Sequence, residues 1–314
     1  MSGNGAFIGR SQAIKDILHK AERLASIPRP LLIRGERGTG KELLASFIHT
    51  TSIFSAGPFI AINSSVYNDE ILASELFGYE KGAFTGALSR HIGCLDRAHG
   101  GTLFFDEIGN MSIRFQEKLL RVLETKCFEP LGAEKSHYID VRFIFATNAN
   151  LESMIENGFF RPDFYDRIAF EILTLPPLRQ RREDIPLLAD YFTSLLIKEI
   201  PYIEPREFSP EALEMMKEYY WPGNVRELKN IVERLQLEET DTYIRTIDLP
   251  PKVAATTPTG DTFEEKVEGY RKHLIYSALR DSQFNQKRAA LSLGMSYDQF
   301  RHYFRKYHLK NLSP

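Results

Sequence analysis

The sequence has few of the features that mark secreted, membrane-bound or metal-binding proteins. Its two cysteines, Cys94 and Cys127, lie far apart and have no histidine at zinc-binding spacing, so we expect two reduced thiols. No apolar run reaches the roughly 18–20 residues that a membrane span needs. The first residues lack a basic flank and an apolar segment, so we expect no signal peptide and a cytoplasmic protein.

Net charge is also almost absent, since 40 basic residues face 42 acidic ones. This balance excludes a chain that coats nucleic acid along its whole length. The charge is uneven, however: residues 261–314 hold ten lysines and arginines against six acids, so the rest carries a net charge of −6. A basic tail on an acidic body predicts a nucleic-acid-binding module at the C-terminus.

The length of 314 residues, of which 43% are hydrophobic, indicates two or three domains and excludes wholesale disorder. Ordered sequence begins near Phe7, so we expect no N-terminal sensory domain. Apolar runs predict four buried strands, at 31–34, 59–63, 102–105 and 141–146. Helical patterns accompany them at 11–25, 42–48 and 114–123. This alternation is typical of an α/β fold with a parallel sheet.

We predict four segments along the chain. Residues 1–175 form the α/β part. Strand signals stop after Pro177, and residues 176–248 form a helical subdomain with helices at 183–199, 210–220 and 224–238. Residues 249–262 are rich in Pro and Thr and poor in large apolar residues, which is typical of a linker. Residues 263–314 form a second, all-helical domain.

A glycine-rich loop follows the first predicted strand and precedes a helix, which is the context of a nucleotide-binding P-loop. Its backbone N–H groups and the helix N-terminus favour phosphate, and Lys41 would neutralise the β- and γ-phosphates. Glu42 stands where a Ser or Thr would offer Mg²⁺ a hydroxyl, so the ion would depend more on a carboxylate elsewhere. The candidate nucleotide-binding residues are Gly35, Glu36, Arg37, Gly38, Thr39, Gly40, Lys41 and Glu42.

Two acids, Asp106 and Glu107, follow the third predicted strand. Downstream of a P-loop, Asp106 is the candidate Mg²⁺ ligand. Glu107 is the candidate base that orients and deprotonates the attacking water. Asn148 follows the fourth strand and is a candidate to hold the water or the γ-phosphate, although Asn after a strand is by itself a common turn residue.

Between these motifs, residues 75–87 read ELFGYEKGAFTGA. With this segment, essentially the whole chain resembles the AAA+ activators of sigma-54 RNA polymerase, the bacterial enhancer-binding proteins. The resemblance implies a P-loop ATPase with a helical lid, ATP and Mg²⁺ as cofactors, and a loop that touches sigma-54 and moves with nucleotide state. One aromatic and one hydroxyl between flexible glycines suit such a docking loop. The implied sigma-54 contacts are Gly82, Ala83, Phe84, Thr85, Gly86 and Ala87.

The resemblance also implies roles for single catalytic residues. Asn63 matches the Asn that hydrogen-bonds the catalytic Glu, here Glu107, and would hold it off the water until the partner engages. Arg161 and Arg167 match arginine fingers that reach the γ-phosphate of a neighbouring subunit. The active site would then exist only between subunits, in a ring that is hexameric by family analogy. Glu42 is usual in this family and does not count against hydrolysis.

Two further segments match the family. Arg226 matches the lid arginine that senses nucleotide, and Asn224 just before it is expected to cap the following helix. Residues 130–137 match a second loop near the pore of the ring.

The resemblance is closest to members that control a phage-shock stress operon, which implies a similar target and a negative regulator protein acting in trans. Those members carry a Trp before a Gly-Pro-Phe sequence. Here residues 54–59 read FSAGPF, and Trp221 is the only tryptophan. Whether the inhibitory partner is the same therefore stays open.

The tail reads as a helix, a turn at Gly294, and a second helix, over 286–293 and 297–307. Phe300, Tyr303 and Phe304 would face the core, and the helix at 264–280 would dimerise the protein. The resemblance implies a Fis-type helix-turn-helix domain that binds enhancer double-stranded DNA. The candidate DNA contacts are Lys287, Arg288, Tyr297, Gln299, Arg301, His302, Arg305 and Lys306. A basic helical hairpin used for protein contact is the alternative.

Two other functions remain open at this point. One is a DNA-binding regulator whose nucleotide site only controls oligomerisation. The complete pairs Asp106–Glu107 and Arg161–Arg167 argue against it, because a degenerate site would be expected to lose some of these residues. The other is a DNA helicase or branch-migration motor, against which the GAFTGA sequence speaks.

Overall fold

The computed structural model describes residues 7–237, 243–244, 268, 271, 275, 278 and 286–307. The chain divides into two compact units, residues 1–248 and 249–314. The predicted linker at 249–262 lies outside the described residues, as does most of the predicted helix at 264–280. Within the described part, every helix is too short or too polar to cross a membrane.

The first unit is built on a five-stranded parallel sheet in the order β2-β3-β6-β1-β7. Strands β4 and β5 form an antiparallel pair, and β8 and β9 a parallel pair. The strands are β1 (Leu31–Arg34), β2 (Phe59–Asn63), β3 (Thr102–Asp106), β4 (Cys127–Phe128), β5 (His137–Tyr138), β6 (Arg142–Thr147), β7 (Ile172–Thr174), β8 (Glu207–Phe208) and β9 (Tyr243–Ile244).

Helices surround this sheet and form the subdomain that follows it. Short 3₁₀ turns occur at Ile108–Asn110 and Leu178–Gln180. The helices of the first unit are α1 (Gln12–Ala25), α2 (Lys41–Thr50), α3 (Asp69–Phe77), α4 (Cys94–Arg97), α5 (Ile113–Thr125), α6 (Leu151–Glu156), α7 (Pro162–Ile168), α8 (Asp184–Glu199), α9 (Pro210–Glu218) and α10 (Asn224–Leu237).

The sheet is buried on both faces because alternate residues of each central strand point to opposite sides. On β3, Phe104 packs with α1 and α2, whereas Leu103 and Phe105 pack with α3, α4, α5 and α7. Because the strands are parallel, their carboxyl ends lie along one edge of the sheet. The P-loop, Asn63, Asp106 and the segment after β6 all start at this edge.

Helices α8 to α10 form the subdomain that we call the lid. Ser209 caps α9 by accepting a hydrogen bond from the Ala212 N–H, and Pro210 occupies the first helical position. Trp221 lies in the turn before α10 and is fully buried. Its indole N–H donates to the Met216 carbonyl oxygen at 2.7 Å, and its ring meets that of Tyr219 edge-on at 5.0 Å. The lid thus has its own aromatic core.

The second unit contains α11 (Gln286–Ser292) and α12 (Tyr297–Lys306), joined by a turn. Gly294 in this turn has a φ of +63°, in the left-handed region that favours glycine. Ala290 and Phe300 are buried where the two helices meet, with Ile275 and Ala278 packed in the same cluster. Tyr303 and Phe304 are only half-buried beside it.

The structure confirms the parallel α/β sheet and the helical character of the segment after it. Strands 31–34 and 59–63 are confirmed to the residue, whereas the other two run on to Asp106 and Thr147. The sequence predictions missed α3, the short strands β4, β5 and β7, and the short helices α4, α6 and α7. They also placed all strands before Pro177, which was wrong, since β8 and β9 follow. Each is only two residues long and carries little periodic signal.

Candidate nucleotide-binding active site

The P-loop connects β1 to α2 and is closely packed against the lid. Gly38 and Gly40 have φ values of +76° and +104°, which glycine adopts without strain. Lys41 is buried, and its ammonium group donates to the Gly35 carbonyl oxygen at 3.1 Å. Burial lowers the pKa of Lys41, and the nearby carboxylates of Glu107 and Asp106 act in the opposite direction. A cation is therefore held beside the start of a helix, where phosphate binds well.

A cavity of about 790 Å³ lies between the P-loop, the acids and the lid. We call it the nucleotide cavity. From the lid, Tyr191, Phe192 and Lys229 contribute to its wall. Nine of the residues expected from the sequence line it: Arg37, Gly38, Gly40, Lys41, Glu42, Asn63, Asp106, Glu107 and Arg226.

The two acids differ in geometry. Asp106 is the last residue of β3, and its carboxylate accepts the Glu107 N–H at 3.0 Å. Glu107 has a φ of +57° and a ψ of +44°, a left-handed conformation that is uncommon for a residue with a side chain. Its side chain is nearly buried, and one carboxylate oxygen lies 3.8 Å from the Arg37 guanidinium. A strained backbone at a polar strand end is typical of a catalytic position.

Asn63 contacts Asp106 rather than Glu107, which corrects the expectation drawn from the resemblance. Its side-chain amide nitrogen donates to Asp106 Oδ2 at 3.4 Å, while its side-chain oxygen Oδ1 accepts from the Ser65 N–H at 2.9 Å. The physical reason is register, because Asn63 pairs with Asp106 across β2 and β3. Glu107 follows that pair in a left-handed conformation, and the side-chain hydrogen bonds of Asn63 go to Asp106 and Ser65.

The other three P-loop residues expected to bind nucleotide, Gly35, Glu36 and Thr39, do not line the cavity. Arg179 donates two hydrogen bonds to the Glu36 carboxylate, at 2.5 and 2.8 Å, and lowers its pKa. Thr39 donates to the Glu36 carbonyl oxygen at 2.8 Å. The Gly35 carbonyl accepts from Lys41.

The sequence predicted that Asn224 would cap α10. In the structure Asn224 instead bridges the lid and the P-loop. Its side-chain oxygen accepts the Leu178 N–H at 2.7 Å, and its amide donates to Glu36 and to the Arg37 carbonyl oxygen. Sequence reasoning missed Arg179 altogether. The only signal for it was the basic run after Pro177, and nothing local linked that run to Glu36.

Three expected catalytic residues lie outside the nucleotide cavity of their own chain. Asn148 follows β6 and is exposed. Arg161 stands just before α7 and pairs with Asp163 at 2.7 Å, whereas Arg167 donates to the Leu123 carbonyl oxygen at 3.2 Å. None of the three is among the residues that line the cavity. A single chain therefore brings the P-loop, both acids and Arg226 together, but not the two arginines.

Residues 82–87, which we call the docking loop, form a closed turn. The Gly82 N–H donates to the Ala87 carbonyl oxygen at 2.9 Å, and both glycines have positive φ values, +86° and +108°. Ala87 is buried at the base. Thr85 is exposed, and Phe84 is 47% exposed with its ring edge-on to Tyr79 at 5.0 Å. The loop thus presents one aromatic and one hydroxyl to solvent.

The second loop at 130–137 abuts the docking loop. The Glu80 N–H donates to the Leu131 carbonyl oxygen at 2.9 Å, which ties the bases of the two loops together. A β-carbon on Gly132 would lie 2.8 Å from that of Ala83, so the contact is tight. The loops belong to one surface of the first unit.

The candidate DNA contacts in the second unit are mostly exposed. Tyr297, Arg301, His302 and Arg305 face solvent. Gln299 is already engaged, because its side chain accepts the Ser296 N–H at 3.0 Å in a capping box at the start of α12. Lys306 pairs with Glu268. Lys287 lies over the Tyr297 ring at 5.9 Å, and Arg288 is exposed on α11.

Comparison with known proteins gives a consistent picture. The family model described as the sigma-54 interaction domain matches residues 7–174, and the AAA+ ATPase lid domain model matches residues 179–266. The second match extends across the predicted linker.

Among curated proteins, the Psp operon transcriptional activator of Escherichia coli (strain K12) is 42% identical over 96% of this chain and 98% of its own length. Regulatory protein AtoC of the same strain is 39% identical over 93% of this chain, which spans 65% of AtoC. Among solved structures, NtrX from Brucella abortus in complex with ATP has a TM-score of 0.72 at 33% identity. That match covers 97% of this chain and 69% of the NtrX chain.

Proposed function

The chain belongs to the sigma-54 interaction family of AAA+ ATPases, and from this membership we propose that it is an ATP-dependent activator of sigma-54 transcription. In this proposal it binds enhancer DNA upstream of a promoter and uses ATP hydrolysis in a ring to remodel the closed polymerase complex. One observation carries it: a single unit combines the nucleotide cavity and its acids with an exposed docking loop. Such a unit can both consume ATP and touch a partner.

Nucleotide binding follows from the charges around the cavity. The P-loop backbone and Lys41 hold the phosphates, and Arg226 approaches them from the lid. The hydrogen bond between Glu36 and Asn224 joins the P-loop to the lid. A movement of the P-loop when phosphates bind or leave is therefore transmitted to α10. The lid then responds to the nucleotide state.

The donors in this cavity suit Mg²⁺. Asp106 offers a carboxylate at the strand end, and the described residues contain no cluster of three His, Cys, Asp or Glu that would form an all-protein cage. Mg²⁺ is commonly held by one or two carboxylates together with substrate phosphates. When bound, the ion would neutralise charge on the phosphates.

Hydrolysis is assigned to the chain's own acid and amide groups. The Glu107 carboxylate orients the attacking water and accepts its proton. Asn148 follows the strand next to β3 and, although it does not line the cavity, is the residue we propose to hold the water or the γ-phosphate once nucleotide is bound. Asn63 fixes the Asp106 carboxylate from the neighbouring strand.

The active site is completed by a neighbouring subunit. Arg161 is the residue just before α7, and Arg167 lies on α7. Both lie outside the cavity of their own chain, as we expect for residues that serve the next subunit. An arginine finger supplies about 10³–10⁵ in rate in comparable enzymes. We therefore propose a homo-oligomeric ring, hexameric by family analogy, that assembles from dimers.

The second unit would deliver the ring to DNA. We propose that residues 263–314 are a Fis-type helix-turn-helix domain, with α12 in the major groove. Its exposed tyrosine, histidine and arginines suit base edges and phosphates, whereas Gln299 is held in its cap. The likeness to the Psp operon activator supports a stress operon of the phage-shock type as target, and a negative regulator acting in trans in the bacterial cytoplasm.

The test pairs two measurements on one preparation, phosphate release and open-complex formation at a sigma-54 promoter. Thr85→Ala and Phe84→Ala should hydrolyse ATP within a few fold of the wild type, because neither residue lines the nucleotide cavity, but should fail to open the promoter. Thr50→Ala, which removes an exposed hydroxyl at the end of α2, is the control and should retain both activities. Full open-complex activity in Thr85→Ala would overturn the role of the docking loop.

The alternative is a DNA-binding regulator whose nucleotide site only controls oligomerisation. It predicts that Glu107→Gln, which blocks hydrolysis but keeps the cavity, still activates transcription. Our proposal predicts that this variant binds ATP and opens no promoter. Stable capture of sigma-54 in the presence of ADP and a metal fluoride would further support the proposal.

A further inference from the structure

Ser64, the first residue after β2, hydrogen-bonds the backbone of Asp106 and Glu107. Its side chain is 3% exposed, and its hydroxyl lies 2.7 Å from the Glu107 carbonyl oxygen and 3.0 Å from that of Asp106. Its backbone N–H donates to the same Asp106 carbonyl oxygen at 3.1 Å. One serine therefore contacts the peptide carbonyls of both acids.

Glu107 needs such a support because its backbone is left-handed. In that conformation the β-carbon of an L-residue is crowded by the following carbonyl, and such conformations persist only where neighbours enforce them. The Glu107 carbonyl oxygen accepts from the Asn110 N–H at 3.0 Å and from the Ser64 hydroxyl. Of these two donors, only Ser64 comes from outside the local turn.

A second contact fixes the far end of the same segment. The hydroxyl of Ser112, the residue before α5, hydrogen-bonds the Asp69 carboxylate at the start of α3. Residues 106–112 are thus fastened to residues 63–69 at both ends, by Ser64 and by Ser112. Hydrogen bonds at both ends therefore restrain the backbone segment that carries the Glu107 side chain.

We propose that Ser64 is a positioning residue for Glu107 in ATP hydrolysis, holding its left-handed backbone so that the carboxylate faces the nucleotide cavity. The inference rests on the proposed role of Glu107 as the base. Ser64 itself is not among the residues that line the nucleotide cavity. It should therefore affect the chemical step and leave ATP binding nearly unchanged.

The test separates kcat from KM in a graded series at this position. Ser64→Ala removes the hydroxyl and should lower kcat by roughly 5- to 30-fold, the effect of one lost buried hydrogen bond on a positioned group. The KM for ATP should change less than about two-fold, because substrate contacts persist. Ser64→Cys replaces the hydroxyl with a somewhat larger thiol that keeps a weak S–H donor, so its kcat should lie between those of the alanine variant and the wild type.

Ser52→Ala is the matched control. Ser52 is also buried, at 6% exposure, and its hydroxyl donates to the His49 carbonyl oxygen at 2.8 Å after the end of α2. It should lose comparable thermal stability and keep kcat. An equal fall of kcat in Ser52→Ala, or a KM that rises in step with the fall in Ser64→Ala, would overturn the positioning role.

Glu107→Gln separates this inference from the function on which it rests. If Glu107→Gln abolishes hydrolysis while Ser64→Ala and Ser64→Cys keep the wild-type kcat, the inference is wrong and the proposed function stands. If Glu107→Gln hydrolyses ATP at the wild-type rate, the proposed role of Glu107 fails, whatever the serine variants do.

Discussion

Replacing Gly38 with alanine should push the lid away from the P-loop. A β-carbon at Gly38 would lie 2.2 Å from the Gly223 carbonyl oxygen, where ordinary contact begins at 3.4 Å. The lid backbone would have to retreat by roughly 1 Å to restore normal packing. That retreat stretches the hydrogen bond from the Val225 N–H to the Gly38 carbonyl oxygen, now 3.0 Å long.

Two contributions set the size of the effect. Gly38 has a φ of +76°, and an alanine in this left-handed region costs about 1 kcal/mol. The lost hydrogen bond to Val225 adds about 1 kcal/mol. We expect Gly38→Ala to lower the free energy of unfolding by about 2 kcal/mol, with nucleotide binding weakened at the same time.

Gly100→Ala isolates the backbone contribution. Gly100 has a φ of +73°, and a β-carbon there would meet no atom within 4 Å. This variant should lose only about 1 kcal/mol and should bind nucleotide normally, because Gly100 precedes β3 at the edge of the sheet opposite the cavity. Both free energies are measured by denaturant unfolding. Equal losses in the two variants would refute the argument that the lid forbids a side chain at Gly38.

Three further predictions concern the assembled and the isolated parts. If Arg161 and Arg167 act across subunits, ATPase activity per protomer should rise with protein concentration, and mixing Arg167→Ala with Glu107→Ala chains should restore some hydrolysis; activity independent of concentration would contradict the ring. Arg301→Ala should weaken specific DNA binding by about 1–3 kcal/mol in a binding titration, while ATPase activity persists in concentrated solution. Arg179 holds the pKa of Glu36 below its ordinary 4.5, so this pair stabilises the fold at neutral pH and its contribution is lost as the pH falls below that value. Glu36→Gln should therefore lose less thermal stability than the wild type between neutral and acidic pH, and identical losses would contradict this.

Four of the five strands of the central sheet could be predicted because their signals are local. The strand that ends at Arg34, the glycines after it and Lys41 lie within a dozen residues, and their order alone indicates a P-loop. Asp106 and Glu107 were found for the same reason, since a buried apolar strand that ends in two acids is visible in the sequence.

The contacts that join distant segments could not be predicted in this way. Arg179 meets Glu36 across 143 residues and Asn224 meets it across 188, and neither partner carries a local mark of the other. The expected contact from Asn63 to Glu107 was wrong because strand register and the left-handed turn at Glu107 decide it. Both are properties of the folded chain, set by packing of the whole sheet.

Trp221 gives the protein an optical reporter of its own. It is the only tryptophan in the chain, and it is fully buried in the core of the lid, with its indole N–H bonded to the Met216 carbonyl oxygen. Its fluorescence therefore originates in one place, and the emission of a shielded indole lies to the blue of that of a hydrated one. A nucleotide that loosens the packing around Trp221 would shift this emission to the red, so the packing of the lid core can be followed in real time on the unlabelled protein.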